Sequence, residues 1–296
     1  MGRYLPLELR IKLYGDVVAL RRGGLTYRGI IEEVWRRYGV RVSKSHISYW
    51  LRGVHSPYNG RLIPSLELLK PSEELAYVIG VKVGDGYTYR RRRTLRGYND
   101  VVVGLKAGNR EFVEEFGRCL AKVLGRKQIR PRFRDDVGKY VVEVRSRTLY
   151  ELLKKPVDLD RLKKYVEHCE RCVAAFLRGF ADSEGCVDKR GYIFILNTDL
   201  RLLTYIMDLL RRFNIESTGP RIHVQRGTII NDPERGIKYS RNKDCHRLHI
   251  RASSNMSFYR YIGFTITRKQ MRLENYVKRN TITPAPPPTI SQPSSK

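Results

Sequence analysis

Two apolar segments of this chain share one pattern of hydrophobic and polar positions. They span residues 75–86 and 175–185, and each is an apolar run with small residues four positions apart, which predicts a close-packing helix. Each run ends in an acidic residue followed by glycine, Asp85-Gly86 and Glu184-Gly185. Because the last turn of a helix carries negative partial charge, a carboxylate there is expected to have a compensating cation.

A similar series of predicted elements follows each apolar segment. In the first half we predict strands at 87–93 and 100–106, a helix at 110–124, a hairpin of 130–135 and 139–146, and a closing helix from 148 to 154. In the second half we predict a strand at 191–197, a helix at 199–213, strands at 221–225 and 246–251, a basic loop at 226–244, and a closing helical region at 254–263. The first half therefore has the predicted order αββαββα, and we expect the same order in the second half.

Residues 1–70 have the pattern of a separate helical domain. Helical segments are predicted from Pro6 to Leu13 and from Val17 to Leu20. Thr26 is a candidate N-cap for a helix that ends at Gly39, and Ser43 is a candidate N-cap for a second helix at 44–52. Two helices joined by a short turn are typical of a helix-turn-helix, although a helical hairpin with a solvated basic face remains an alternative. Ile47 and Leu51 would face inward, and Trp50 is expected to pack. The residues available to a DNA groove are Lys44, Ser45, His46, Ser48 and Tyr49.

The charge balance favours a polyanionic partner. The 296 residues include 58 basic and 30 acidic residues, a formal net charge of +28, which makes nucleic acid the first candidate. Arginines at positions 90–93 and 96 would contact phosphates or bases from a predicted hairpin. No signal peptide and no apolar run of membrane-spanning length is recognisable, so we expect a cytoplasmic protein without a membrane partner. The tail, residues 281–296, is rich in proline and is expected to be disordered.

The two apolar segments resemble the LAGLIDADG motif of homing endonucleases in their single-chain, two-motif form. The resemblance covers residues 72–280 and implies an α+β fold. That fold has two pseudo-symmetric halves, 71–165 and 166–280, with curved antiparallel sheets laid along the DNA major groove, in addition to the N-terminal all-α helix-turn-helix domain. It further implies that the motif helices pack against each other through small residues, here Gly80, Gly84, Gly179 and Ser183.

The resemblance also implies chemistry. Asp85 and Glu184 match the family's catalytic acids and would hold Mg²⁺ or another divalent cation, since magnesium takes one or two carboxylates together with phosphate and water. With one acid in each half, a monomer would break both strands of a long double-stranded DNA site, as in intron homing. Lys106 matches a family lysine near the scissile phosphate. In the second half, Asn197 stands at the position equivalent to Lys106, and Lys189 could serve as the basic residue instead. Asp182 is assigned a structural role.

Two other functions stay open. Lys82 replaces the aliphatic residue that the family usually carries, which favours a catalytically inactive DNA-binding regulator of the same fold. A basic surface also suits a maturase, an RNA-binding helper of intron splicing. Unequal halves would produce a nick instead of a double-strand break. Cys169 and Cys172, with Cys186 nearby, admit a zinc site or a local disulfide, but simple packing is the preferred interpretation.

Overall fold

The computed structural model describes residues 5–52, 57, 69–90, 101–232 and 236–282. The chain divides into two compact units, residues 1–176 and 177–296, and the division falls within a single helix. The division into four segments that the sequence predicts, at 1–70, 71–165, 166–280 and 281–296, stays a prediction. In the described ranges, no helix is both long and apolar enough to cross a membrane.

Three helices form the N-terminal part of the first unit: α1 (Leu7–Arg22), α2 (Tyr27–Tyr38) and α3 (Lys44–Leu51). The predicted caps are confirmed, because Thr26 and Ser43 each accept a backbone N–H three residues ahead, and Gly39 ends α2 in the left-handed conformation. The two predicted segments before Gly23 are one continuous helix. The three helices share a core of Leu13, Val17, Ile30, Val34, Val42, Ile47 and Trp50.

The first αββαββα series begins with α4 (Glu73–Val83), which Ser72 caps. It continues with β1 (Tyr87–Arg90), β2 (Val101–Ala107), α5 (Arg110–Val123), β3 (Arg132–Arg134), β4 (Lys139–Arg145) and α6 (Arg147–Leu153). A further helix that we did not predict, α7 (Leu159–Val166), follows. The strands form an antiparallel sheet in the order β1-β2-β4-β3, and α5 and α6 pack on one face of it.

The second series begins with α8 (Glu170–Glu184). It continues with β5 (Gly185–Val187), β6 (Ile193–Asn197), α9 (Leu200–Arg211), β7 (Ser217–Val224), β8 (Ile229–Asp232), β9 (Ile237–Ser240) and β10 (Cys245–Ile250). The short helix α10 (Asn255–Ser257) runs into a π-helical turn at Phe258–Ile262, and α11 (Thr267–Ile282) ends the described chain. Since α11 reaches Ile282, the first two residues of the tail predicted to be disordered are helical.

The second sheet repeats the strand order of the first. Its order is β5-β6-β10-β7, which matches β1-β2-β4-β3 once β8 and β9 are set aside. Those two strands pair with each other as a separate hairpin, so the prediction of a loop throughout 226–244 was wrong. The hairpin escaped prediction because its strands are only four residues long and largely exposed. The fold class is confirmed as α+β with antiparallel sheets.

Candidate functional site

The two predicted acids occupy the same kind of position, where a motif helix gives way to the first strand of a sheet. Asp85 lies in the turn between α4 and β1 and is exposed, whereas Glu184 is the last residue of α8 and is half-buried. The glycine after each acid makes the junction possible. A Cβ on Gly86 would lie 2.8 Å from Lys82 Cα, and one on Gly185 would lie 2.5 Å from the Ala181 carbonyl oxygen.

The C-terminal end of α8 has the compensating cation that its dipole requires. Lys269 Nζ donates to the carbonyl oxygens of Ala181 at 3.2 Å and Asp182 at 2.6 Å. The buried Asp182 carboxylate accepts the backbone N–H groups of Thr265 at 2.8 Å and Ile266 at 3.4 Å. Asp182 thus fastens the segment before α11 to α8, which supports its structural role and holds the helix end that carries Glu184.

The end of α4 is different, because it contains a buried amine. Lys82 is 1% exposed, and among the described residues its Nζ has no hydrogen-bond partner. Burial, with a smaller contribution from the positive charge of Lys155, lowers the pKa of Lys82 to about 8. Counting back four residues from the junction glycines, Lys82 corresponds to Ala181 in the second half. The departure that we noted in the sequence is therefore a real difference between the two helix ends.

The other predicted catalytic residues lie on the sheets or next to them. Lys106 is exposed on β2, and its charge adds to that of Arg134 in lowering the pKa of Asp136. Lys189 is exposed in the turn after β5. Asn197 ends β6, where its side-chain oxygen accepts the backbone N–H of Asp199 at 2.8 Å. Whether these residues act in catalysis stays a prediction.

The face of the first sheet opposite α5 has a hydrogen-bonded cluster that the sequence analysis missed. Tyr87, Gly104 and Glu143 stand in one row across β1, β2 and β4. Because Gly104 has no side chain, the Tyr87 ring crosses the strand, and its hydroxyl donates to Glu143 Oε1 at 2.9 Å. Tyr89 donates to the same oxygen at 3.2 Å, and Arg132 donates to Glu143 Oε2 at 3.3 Å.

The corresponding row of the second sheet is composed of Cys186, Phe194 and His249. The guanidinium of Arg247 lies 4.0 Å from the centroid of the Phe194 ring, a cation–π contact. Arg221 stands beside Arg247 in the ladder and is exposed. This face therefore combines two cations with an aromatic ring, a combination that suits nucleic-acid phosphates and bases.

The predicted DNA-contact residues of α3 are mostly on its outer face. Lys44, Ser45, His46 and Tyr49 are exposed, and Ser48 is half-buried, while Trp50 packs inward as expected. Of the arginines predicted to contact DNA, Arg90 ends β1 and lies 5.9 Å from the centroid of the Tyr150 ring. Arg91, Arg92, Arg93 and Arg96 lie outside the described residues.

The small residues assigned to the helix interface are in the last two turns of the motif helices, except Gly84, which directly follows α4. Gly80 and Gly179 are buried, and Gly84 and Ser183 are half-buried. The Ser183 hydroxyl donates to the Gly179 carbonyl oxygen at 3.1 Å within α8. Their role in packing one motif helix on the other stays a prediction.

The donor chemistry at the two acids fits a hard divalent cation. Each supplies a carboxylate, the ligand type that magnesium and calcium prefer. In the part of the chain that the structure describes, no three histidine, cysteine, aspartate or glutamate side chains cluster as a ready-made metal site. A cation at Asp85 or Glu184 would therefore need other oxygen ligands, such as backbone carbonyls, water and phosphate.

Comparison with known proteins finds a family match in the second half of the chain. Residues 171–263 match the LAGLIDADG-like domain. An uncharacterized protein of Methanocaldococcus jannaschii, MJ0398, is 29% identical over 270 residues, which cover 90% of this chain and 94% of that protein.

Two solved structures are also similar to this chain. The homing endonuclease I-DmoI in complex with DNA and Ca is 19% identical, with a TM-score of 0.47, over 69% of this chain and 97% of that one. Full-length DUF199/WhiA from Thermatoga maritima is 14% identical, with a TM-score of 0.40, over 77% of this chain and 65% of that one. The family match over residues 171–263 confirms the resemblance found in the sequence.

Proposed function

We propose that this chain is a site-specific DNA endonuclease of the homing type that depends on a divalent cation. The observation that carries the proposal is the recurrence of a carboxylate at one structural position. In each half an acid stands at the junction between a motif helix and the first strand, fixed there by a glycine that accepts no Cβ. The net charge of +28 supplies the attraction to DNA.

Asp85 and Glu184 would hold Mg²⁺ or a similar cation, each acting on one DNA strand. When bound, such a cation neutralises phosphate charge and lowers the pKa of a bound water. Lys106 on β2 and Lys189 after β5 are exposed cations, and their part is to attract and orient the phosphate. Lys269 and Asp182 keep the end of α8 in place, so that the Glu184 carboxylate is held ready for its ligand.

Specific binding would use the open sheet faces and α3. The sheets offer hydrogen-bonding groups such as Tyr89 and cations such as Arg221, which are suited to base edges and phosphates respectively. Helix α3 offers Lys44 and His46 as a separate contact to the duplex. Since these surfaces are far apart in the sequence and differ in chemistry, we propose a long target without exact symmetry.

The test is cleavage of a library of duplex DNA in Mg²⁺ by the parent chain, Asp85→Asn and Glu184→Gln. We expect the parent to cut one sequence, and each variant to lose about a thousandfold in rate, as removal of several kcal/mol of transition-state stabilisation predicts. Asp208→Asn on α9 is the matched control, because Asp208 is an exposed acid on a helix that belongs to neither junction. If that control lost as much activity, general charge effects would replace the proposed roles.

A DNA-binding regulator without nuclease activity is the second candidate, and Lys82 is the observation that favours it. An amine buried in α4, three residues before Asp85, adds positive charge close in the sequence to an acid that would hold the cation. Salt-dependent binding of one DNA sequence without any cut, by the parent and by both acid variants alike, would establish this alternative. Preferential binding of a structured intron RNA over that duplex would favour the maturase instead.

A further inference from the structure

The first turn of α8 brings two thiols together. Cys169 precedes the helix and Cys172 lies one turn further on, and their sulfur atoms are 3.3 Å apart. The backbone N–H of Cys172 also points at Cys169 Sγ, at 3.4 Å. Two thiols in contact at the start of a helix need only a small movement of the sulfur atoms to form a bond.

The two thiols differ in access to solvent. Cys169 is half-buried between the exposed residues His168 and Glu170, so reagents in solution can reach it, whereas Cys172 is 1% exposed. This is the arrangement that thiol–disulfide exchange requires, with an accessible sulfur to be attacked first and a sheltered sulfur to close the bond.

The local electrostatics agree with this division. The Cys172 backbone N–H, then its thiol, stabilise the Cys169 thiolate and lower the pKa of Cys169, with a further contribution from Arg171. Burial, followed by the hydrogen bond to Cys169 and its charge, raises the pKa of Cys172 to about 12, and Glu73 adds to the rise. Once Cys169 has been modified, its negative charge no longer opposes ionisation of Cys172.

We propose that Cys169 and Cys172 form a dithiol site that exchanges with low-molecular-weight disulfides and closes to an internal disulfide. The Cys169 thiolate attacks one sulfur of the small disulfide, the S–S bond breaks, and one small thiolate leaves and takes up a proton. Cys172 then loses its proton to solvent and attacks the Cys169 sulfur, and the second small thiolate leaves. Two protein thiols are oxidised and one small disulfide is reduced to two thiols.

The bond would close a ring over the first turn of the helix that ends at Glu184. Arg171, between the two cysteines, lies 3.3 Å from Glu73 in the first turn of α4. The site therefore adjoins a contact between the N-terminal ends of both motif helices. The other cysteines do not offer this geometry: Cys119 and Cys245 are buried, and the half-buried Cys186 is in β5.

The experiment exposes the fully reduced, folded chain to oxidised glutathione and follows it by intact mass and peptide mapping. We expect the parent to lose two hydrogens without keeping a glutathione adduct on Cys169, with a bond that maps to Cys169 and Cys172. Cys172→Ser should trap glutathione on Cys169 about tenfold faster than on Cys186, as expected for a thiol of lowered pKa at a helix start. Cys169→Ser should form no internal bond, and Cys186→Ser should behave like the parent.

Two results would overturn the proposal. One is a glutathione adduct that persists on Cys169 in the parent, because closure would then be blocked. The other is equal reactivity of Cys169 and Cys186, because the first turn of α8 would then have no activating effect. The parent chain also decides both questions, because its rate of bond formation between Cys169 and Cys172 can be compared with its rate of adduct formation on Cys186. A variant that fails to fold therefore does not weaken the test. The same treatment in denaturant shows whether closure needs the folded helix.

Discussion

The open faces of the two sheets occupy equivalent places in the same strand order but differ in chemistry. In the first sheet, Tyr87 crosses the gap above Gly104 to reach Glu143, whose charge is shared among two hydroxyls and one guanidinium. In the second sheet, Phe194 fills the middle of the corresponding row, and Arg247 lies over its ring. The open face of the first sheet therefore presents a carboxylate that already accepts hydrogen bonds, and that of the second sheet presents a cation lying on an aromatic ring.

The difference shows which parts of a repeated fold are constrained and which vary. Both junctions have an acid followed by a glycine, and the glycine is required because the backbone behind it leaves no room for a side chain. The sheet faces are free of that restriction and have diverged, as has the helix position of Lys82 and Ala181. A DNA site bound by both halves would consequently be read by different chemistry at its two ends.

A large effect is expected at the junctions, where the halves are alike. Gly86→Ala and Gly185→Ala should each destabilise the chain by about 2–3 kcal/mol, since the new Cβ meets backbone atoms that cannot move aside. Chemical denaturation measures both. Gly108→Ala is the control, because a Cβ there meets nothing within 4 Å. A large loss in one half only would break the equivalence of the two junctions.

Lys82→Met tests the difference between the two motif helices. The pKa of Lys82 is about 8 in the folded chain against 10.5 as its ordinary value, so the unfolded chain binds more protons between these pH values. The parent therefore gains stability as the pH rises from 8 to 10.5. Below pH 8, Lys82 is charged in the folded chain, and the cost of burying that charge has its full value. We expect the variant to be more stable than the parent by about 3 kcal/mol at pH 7.

The gain should shrink as pH rises from 8 towards 10.5, because neutral Lys82 is no longer penalised. Denaturation at a series of pH values measures this, with Lys127→Met as the control for an exposed lysine. A gain in stability that stays constant with pH would mean that Lys82 does not titrate in this range. The difference between the ends of α4 and α8 would then be one of packing and not of charge.

Tyr87→Phe probes the cluster of the first sheet. The variant loses one hydrogen bond to a partly buried carboxylate, and we expect a loss of about 1 kcal/mol in stability. Tyr192→Phe in the second half is the matched control, because Tyr192 is 40% exposed and its ring is tilted against that of His249, with the centroids 5.9 Å apart. Equal losses would mean that the Tyr87 contact with Glu143 contributes nothing of its own.

Local features of the sequence predicted much of this structure. The caps at Thr26 and Ser43 and the glycine that ends α2 act within a few residues, so the helices of the N-terminal part could be placed closely. The strand–helix series also followed from periodicity. The hairpin of β8 and β9 was missed, since short exposed strands bury too little apolar surface to leave an alternating pattern.

The contents of the candidate site were harder to predict. Tyr87 and Glu143 are 56 residues apart and meet only through the register of three strands, which no local pattern specifies. The alternation of Tyr87 and Tyr89 was the available signal, because it places two hydroxyls on one face. The spacing of Cys169 and Cys172 was visible in the sequence, but the contact between their sulfur atoms required the start of α8 to be defined.

The smallest expected effect is on DNA binding, and it compares the two sheet faces directly. Glu143→Gln removes a negative charge from the first face, and Arg247→Met removes a positive charge from the second. If both faces lie against phosphates, the first variant should bind a random-sequence duplex about threefold more tightly and the second about threefold more weakly, with slopes against salt that change in opposite directions. Fluorescence anisotropy across a salt series measures both.

Asp208→Asn is the control for this comparison, because it also removes a negative charge, but on α9. It distinguishes an effect of net charge on DNA binding from an effect of the position of the charge. An increase for Asp208→Asn equal to that for Glu143→Gln would mean that the first sheet face is not a DNA surface, and the asymmetry between the halves would then concern folding alone.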